Sequence, residues 1–216
     1  MKINIIGATG ATGSELLTLA LQDQAISEVH VFVRREIEIT HPKLKVHIIN
    51  FDATESWANL VSGDALFSCL GTTLRDAGGK DAQWKVDYEY QLAFAMAAKQ
   101  NGIDNYLLIS SAGASSSSKI FYARMKGELE DEVKALNFEK CTIFRPPLLL
   151  RPETERMGEK IASKVIHFLN KIGLLKSQQP MPVDLLAKAM LKAHKHLSTG
   201  FNSYEQSEIR ELANEN

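Results

Sequence analysis

Ile3-Asn4-Ile5-Ile6-Gly7-Ala8-Thr9-Gly10-Ala11-Thr12-Gly13 is the stretch from which the rest of the chain can be read. An apolar, β-branched run feeds a glycine-rich turn, and Ser14 to Leu21 then favours helix, so the order is strand, turn, helix. Glycine at 7 lets the backbone turn sharply, and glycine at 10 lets a diphosphate approach with no Cβ in the way. Glycine at 13 lets the new helix pack close to the strand. Free amides at that helix start suit phosphate, so Gly7, Thr9, Gly10, Ala11, Thr12 and Gly13 are candidate contacts to a dinucleotide.

Downstream the pattern repeats as alternating strands and helices. Residues 29–33 predict a second strand ending at Arg34-Arg35. An acid about 20 residues past the glycines would receive the ribose hydroxyls of NAD, whereas arginine suits the 2′-phosphate of NADP. Arg34 and Arg35 therefore favour NADP(H) over NAD(H), the plain alternative being two solvated surface arginines. Residues 45–50 read as the third strand, after which Asp52 is placed either to contact adenine or, with Thr54, to cap a helix over 53–60. Residues 64–70 read as the fourth strand. Its end puts Cys69, Leu70, Gly71 and Thr72 on the cofactor list, and Gly71 allows close backbone approach.

A polar loop over 74–81 precedes a helix over 82–100, whose run from Leu92 to Ala98 is almost wholly small or apolar and offers a face for a homodimer. Residues 105–109 form the fifth strand, ending at Ser110-Ser111, and Ser115 to Ser118 mark a flexible loop. A helix over 120–136 carries Tyr122 and Lys126, and residues 141–144 form a sixth strand stopped by Pro146-Pro147. The fold class is α/β, a Rossmann-like doubly wound parallel sheet. Helices over 158–172 and 183–196 belong to a small helical extension, 151–216, expected on the substrate side over the carboxyl end of the sheet. The tail from Ser203 is polar and is expected to fray.

The 216 residues, 44% of them hydrophobic, suit one domain with a sizeable core. A formal charge of −1 gives no field for nucleic acid or an anionic membrane, which leaves a small molecule as the partner. Cys69 and Cys141 are too few for a disulfide framework and sit in apolar runs, as thiols do in a reducing compartment. With no leader ahead of the first strand and no run near the ~20 apolar residues of a membrane span, the expectation is a soluble, cytoplasmic protein. No metal is expected, because His194 and His196, two apart on a helix, face apart.

The chemistry concentrates in one helix and one strand end. Tyr122 and Lys126, at i and i+4, share a helical face. A free tyrosine titrates near about 10, and a neighbouring ammonium lowers that by favouring phenolate. Lys126 would also hold the nicotinamide ribose, and Ser111 would donate to a substrate oxygen as charge develops there. Ser110 or a loop serine is the alternative donor. In order, GATGATG, CLGTT, ISSAGA, YARMK and FRPPLLL resemble an atypical short-chain dehydrogenase/reductase, and more narrowly the Tat-interacting oxidoreductase-like group with its small bacterial relatives. Arg156-Met157-Gly158-Glu159 and Met181-Pro182-Val183 extend the likeness. The resemblance implies a Rossmann fold, NADPH binding with Pro146 beside the cofactor, and Ser111, Tyr122 and Lys126 in the reductase roles. Asp87 falls where many such proteins carry an asparagine of the proton relay. The function expected is NADPH-dependent reduction of a small or medium carbonyl compound; the alternative is an NADPH-binding regulatory protein without turnover.

Overall fold

Every run read as a strand forms one in a computed structural model that describes residues 1–150, 179–196 and 199–215. In chain order the elements are β1 (Lys2–Ile6), α1 (Ala11–Gln22), β2 (Glu28–Val33), β3 (Leu44–Ile48), α2 (Thr54–Trp57) and β4 (Ala65–Ser68). There follow α3 (Leu74–Ala77), α4 (Lys80–Trp84), a π-helical stretch (Lys85–Glu89), α5 (Tyr90–Gln100), β5 (Asn105–Ile109), α6 (Phe121–Ala135) and β6 (Lys140–Phe144). The short pair β7 (Leu149–Leu150) and β8 (Met181–Pro182), α7 (Val183–His196), β9 (Gly200–Tyr204) and α8 (Gln206–Asn214) complete the described chain. The helix expected over 158–172, with the motif at 156–159, lies outside the described residues.

Seven strands pair in the order β3-β2-β1-β4-β5-β6-β9, all parallel. Parallel strands need helices on both faces, and alternation of side chains supplies two cores. On one face Ile3, Ile5, Leu16, Leu17, Leu186, Met190 and Ile209 join. On the other Ile6, Phe32, Trp57, Phe94, Leu129 and Val133 do so, and Trp57 stacks on Phe94 with ring centroids 3.9 Å apart. The apolar run of the 82–100 helix serves this second core through Phe94, Ala95, Ala97 and Ala98, and Met96 stays exposed.

Local expectations change at four places. The helix over 53–60 is one α-turn followed by a 3-10 turn, and the residue ahead of it, Ala53, makes no side-chain cap. The polar loop after β4 contains α3, capped where Thr73 Oγ1 accepts from Asp76 N at 3.1 Å. The serine-rich loop is pinned: Ser115 N donates to Ala123 O at 2.9 Å and Ser118 N to Ser115 O at 3.0 Å. Gly127 makes this possible, since a Cβ there would lie 2.2 Å from the Ser115 carbonyl carbon.

The largest change is at the carboxyl-terminal end of the described chain. The tail expected to fray instead supplies β9, in register with β6 from Lys140↔Gly200 to Phe144↔Tyr204. Behind it, α8 starts with a capping box in which Glu205 and Glu208 exchange side-chain and backbone bonds. An edge strand shows half its side chains to water, and α8 buries little beyond Ile209, Leu212 and Ala213, so the stretch reads as polar. The α7 helix likewise packs beside α1 in the first core, through Leu186, Ala187 and Met190, and not across the carboxyl end of the sheet.

Candidate functional site

β1 lies between β2 and β4, where chain connections leave in opposite directions and a crevice opens beyond the carboxyl ends. The glycine turn fills that position. Gly7 has φ +78, and a Cβ on it would stand 2.4 Å from Cys69 O, so the end of β4 presses directly on the turn. A Cβ on Gly13 would stand 2.1 Å from Gly7 O, so α1 rests on the turn it grows from. Gly10 N donates to Gly7 O at 2.9 Å, and Ser14 N is bonded back to Gly10 O at 2.9 Å. Gly10 caps α1 without a side-chain bond, which leaves the amides of Ala11, Thr12 and Gly13 without partners among the described residues. Three free amides, an open glycine and a twelve-residue helix fit a diphosphate.

At the end of β2, Arg34 and Arg35 are exposed, and neither forms an ion pair among the described residues. Asp52 does not cap α2. Its Oδ1 accepts from Tyr90 Oη at 2.8 Å and lies 2.6 Å from Lys85 Nζ. The Lys85 bond, with that of Tyr90, holds the Asp52 carboxyl below its ordinary range.

Between β4 and α6 the predicted residues converge. Thr72 N donates to Asp87 Oδ2 at 2.8 Å and Thr72 O accepts from Gln83 Nε2 at 3.1 Å, which clamps the turn after Cys69, Leu70 and Gly71. Lys126 Nζ lies 3.3 Å from Asp87 Oδ1, in a pair whose side chains are 2% and 0% exposed. Pro146 O accepts from Ala112 N at 3.0 Å and so ties the exit of β6 to the Ser111 turn. The Ser111 hydroxyl is buried and has no hydrogen-bond partner among the described residues. Ser110, its neighbour, is engaged: its Oγ donates to Glu130, which also accepts from Arg145 Nε at 3.1 Å. Tyr122 stands apart, 39% exposed, and bonds to neither Ser111 nor Lys126.

Burial pushes the Cys69 thiol up to about 12, which removes it as a nucleophile at neutral pH. Burial also raises Asp87, against the opposing pull of Lys126 and the Thr72 amide. Among the described residues no group of His, Cys, Asp and Glu could hold a metal ion. Gln83, Glu130 and Gly127 were not legible as site residues, although Glu130, four residues beyond Lys126, repeats the Tyr122–Lys126 spacing.

The chain matches the family described as NAD(P)H-binding over residues 7–165. It is 36% identical over 201 residues to "Protein fmp52, mitochondrial" of Aspergillus clavatus, covering 89% of this chain and 86% of that one. It is 38% identical over 154 residues to "Protein FMP52, mitochondrial" of Saccharomyces cerevisiae, covering 69% and 66%. Among solved structures it resembles the Bordetella bronchiseptica enzyme WbmH in complex with NAD+, with a TM-score of 0.71 at 16% identity, covering 94% of this chain and 74% of that one. The cytoplasmic expectation is overturned here, because relatives this similar carry mitochondrial names. Among the described residues no helix is long and apolar enough to cross a membrane. By the family match and the coverage of these relatives, the chain belongs to the NAD(P)H-binding family of Rossmann-type proteins.

Proposed function

We propose that the protein is an NADPH-dependent reductase, an atypical short-chain dehydrogenase/reductase close to the Tat-interacting oxidoreductase-like group, acting on a small or medium carbonyl compound. The observation that carries this reading is the buried, unpartnered hydroxyl of Ser111, two residues past the carboxyl end of β5. A buried hydroxyl normally finds a partner, and a substrate carbonyl oxygen would be one. The amides of Ala11 to Gly13 would hold the diphosphate, Arg34 and Arg35 the 2′-phosphate, and Lys126 the nicotinamide ribose. When bound, NADPH supplies the hydride. Ser111 then donates to the oxygen on which charge builds, and Tyr122 delivers the proton to it, with the Lys126 charge favouring the resulting phenolate.

The exposure of Tyr122 supports a second reading, an NADPH-binding regulatory protein that keeps the nucleotide contacts and performs no turnover. Calorimetric titration with NADPH and NADH, on the natural protein and on Arg34→Ala and Arg35→Ala, tests the shared part. NADPH preference that disappears in either variant is expected; binding of neither nucleotide would overturn both readings. Tyr122→Phe separates them, because it should abolish turnover in a carbonyl screen and leave NADPH affinity within twofold. Turnover equal to that of the natural protein would sink the role of Tyr122.

A further inference from the structure

Aliphatic side chains stand in water at the ligand end of the sheet. β4, β5 and β6 are adjacent and parallel, so the segments after them leave from the same end, where ligands of such folds bind. Leu74 follows β4, Ile120 follows β5, and Leu148 and Leu150 follow β6; they are 40% to 59% exposed. A single exposed leucine carries no information, but exposed aliphatics from three consecutive connections at one end do. None hangs on slack chain. Thr73 caps the turn that carries Leu74. Ile120 N donates to Ser118 Oγ at 3.1 Å, and Ile120 O accepts from Arg124 N at 2.9 Å. Leu148 O accepts from Met181 N at 2.9 Å, and β7, paired with β8, packs Leu149 on the first core and leaves Leu148 and Leu150 outside. The bond from Ala112 N to Pro146 O ties this last group to the Ser111 turn. The rings after β4 and β5 are already engaged: Trp84 packs on Tyr88 and Phe121, with centroids 4.6 and 6.2 Å apart, and Lys80 Nζ lies 5.4 Å from the Phe121 centroid. Exposed charges of the same connections, Arg75, Asp76, Lys80, Asp81 and Lys119, are of both signs and give no field for a strongly charged ligand.

We propose that the carbonyl substrate is an aliphatic aldehyde of medium or long chain, whose tail lies over Ile120 and Leu148 while its oxygen meets Ser111. The inference rests on the reductase reading above and names the substrate class of that same site. Hydride passes from NADPH to the carbonyl carbon and a proton to its oxygen, so the aldehyde leaves as the primary alcohol with NADP+. A flexible tail suits this surface better than a ring or a sugar, because the exposed side chains are branched and apolar and the ring faces are taken. Full burial of a methylene is worth about fourfold in affinity, and a surface open on one side gives less, about twofold.

The test has two parts. NADPH-dependent reduction is measured for propanal, pentanal and octanal, with glyceraldehyde as the polar three-carbon control. Calorimetry then measures butan-1-ol and octan-1-ol binding to the protein in the presence of NADP+. From propanal to octanal kcat/KM should rise about thirtyfold, and octan-1-ol should bind about fifteenfold tighter than butan-1-ol. The double variant Ile120→Ser/Leu148→Ser should cut both ratios about fivefold or more; both side chains are exposed, and serine is well accepted just ahead of α6, so the fold should hold. Met96→Ser, equally exposed in the middle of α5, should keep both ratios. Turnover that is level along the series, a preference for glyceraldehyde, or a chain-length preference that survives in the double variant would overturn the inference and leave the reductase reading standing. Selective octan-1-ol binding that the double variant loses, with no aldehyde reduced, would overturn the reductase reading and leave the aliphatic site. Neither reduction nor selective alcohol binding would overturn both.

Discussion

His194 is held neutral in the interior, and its protonation should dominate the response of this fold to mild acid. Its ring is 5% exposed and packs edge-on to Phe67, with centroids 5.5 Å apart. Asn105 Nδ2 approaches His194 Nδ1 at 2.9 Å, which makes Nδ1 the acceptor and leaves the proton on Nε2, a buried atom without a partner. Burial lowers the pKa from the ordinary 6.5 to about 4; the charge of Asp64 opposes this, and Lys195, Lys140 and the amino terminus add to it. The unfolded chain therefore takes up a proton below about pH 6.5 that the folded chain refuses until about pH 4. Stability from this residue is whole above pH 6.5 and is lost as pH falls through that window, at about 1.4 kcal/mol per pH unit, or about 3 kcal/mol in all. His194→Gln keeps an acceptor for Asn105 and removes the titration. At pH 8 it should cost about 1 to 2 kcal/mol through poorer packing. Urea unfolding followed by tryptophan fluorescence, with Trp57 buried in the second core, measures both proteins from pH 8 to pH 4.5. Across that range the natural protein should lose about 2 to 3 kcal/mol relative to the variant, so that the variant becomes the more stable of the two near pH 4.5. His30 and His47, also lowered by burial, are present in both proteins and cancel. Parallel stability curves would refute a neutral His194.

Four further perturbations separate fold from site. Gly10→Ala places its Cβ 3.2 Å from Gly7 O and near nothing else, so the melting temperature should hold, but the methyl group blocks the diphosphate and NADPH binding should fall more than tenfold. Gly13→Ala drives a Cβ against the Gly7 backbone and should destabilise by about 3 kcal/mol or more in chemical denaturation; a neutral result would mean that α1 can lift off the turn. Gly127→Ala meets the Ser115–Ser116 backbone at 2.2 Å and should release the Ser111–Ser118 loop, read as faster amide exchange at Ser115 and Ser118. Glu130→Gln removes the buried counter-charge and one of the two oxygens that accept from Arg145, leaving Glu205, at 3.3 Å, as its only carboxylate, and should cost about 3 kcal/mol; a loss under about 1 kcal/mol would mean that the Glu205 contact suffices.

The first half of the architecture was legible because its signals are local. A β-branched strand, three spaced glycines and an apolar helix lie within a few residues of one another, and the structure places them as expected. β9 was not legible. Its partner β6 is far back in the chain, and Gly200-Phe201-Asn202-Ser203-Tyr204 shows the mixed polarity of an edge. In the candidate site, spacing named Ser110 and Ser111 as a pair but could not say which hydroxyl is already engaged within the fold. Glu130, from a different element, claims Ser110, and a partner that far along the chain leaves no local signal. The commitment of Asp52 was hidden for the same reason, since Lys85 and Tyr90 reach it from a helix a whole βα unit later.

The position of β9 also bears on how the protein must be made. Until Gly200–Tyr204 is available, β6 presents an open row of amides and carbonyls, and the core beneath α7 lacks Ile209 and Leu212. Between the completion of β6 and the arrival of β9 such a chain is an incomplete sheet with an edge open to pairing. A nascent chain halted before that strand would carry a complete nucleotide turn on a sheet one strand short, with its first core lacking Ile209 and Leu212.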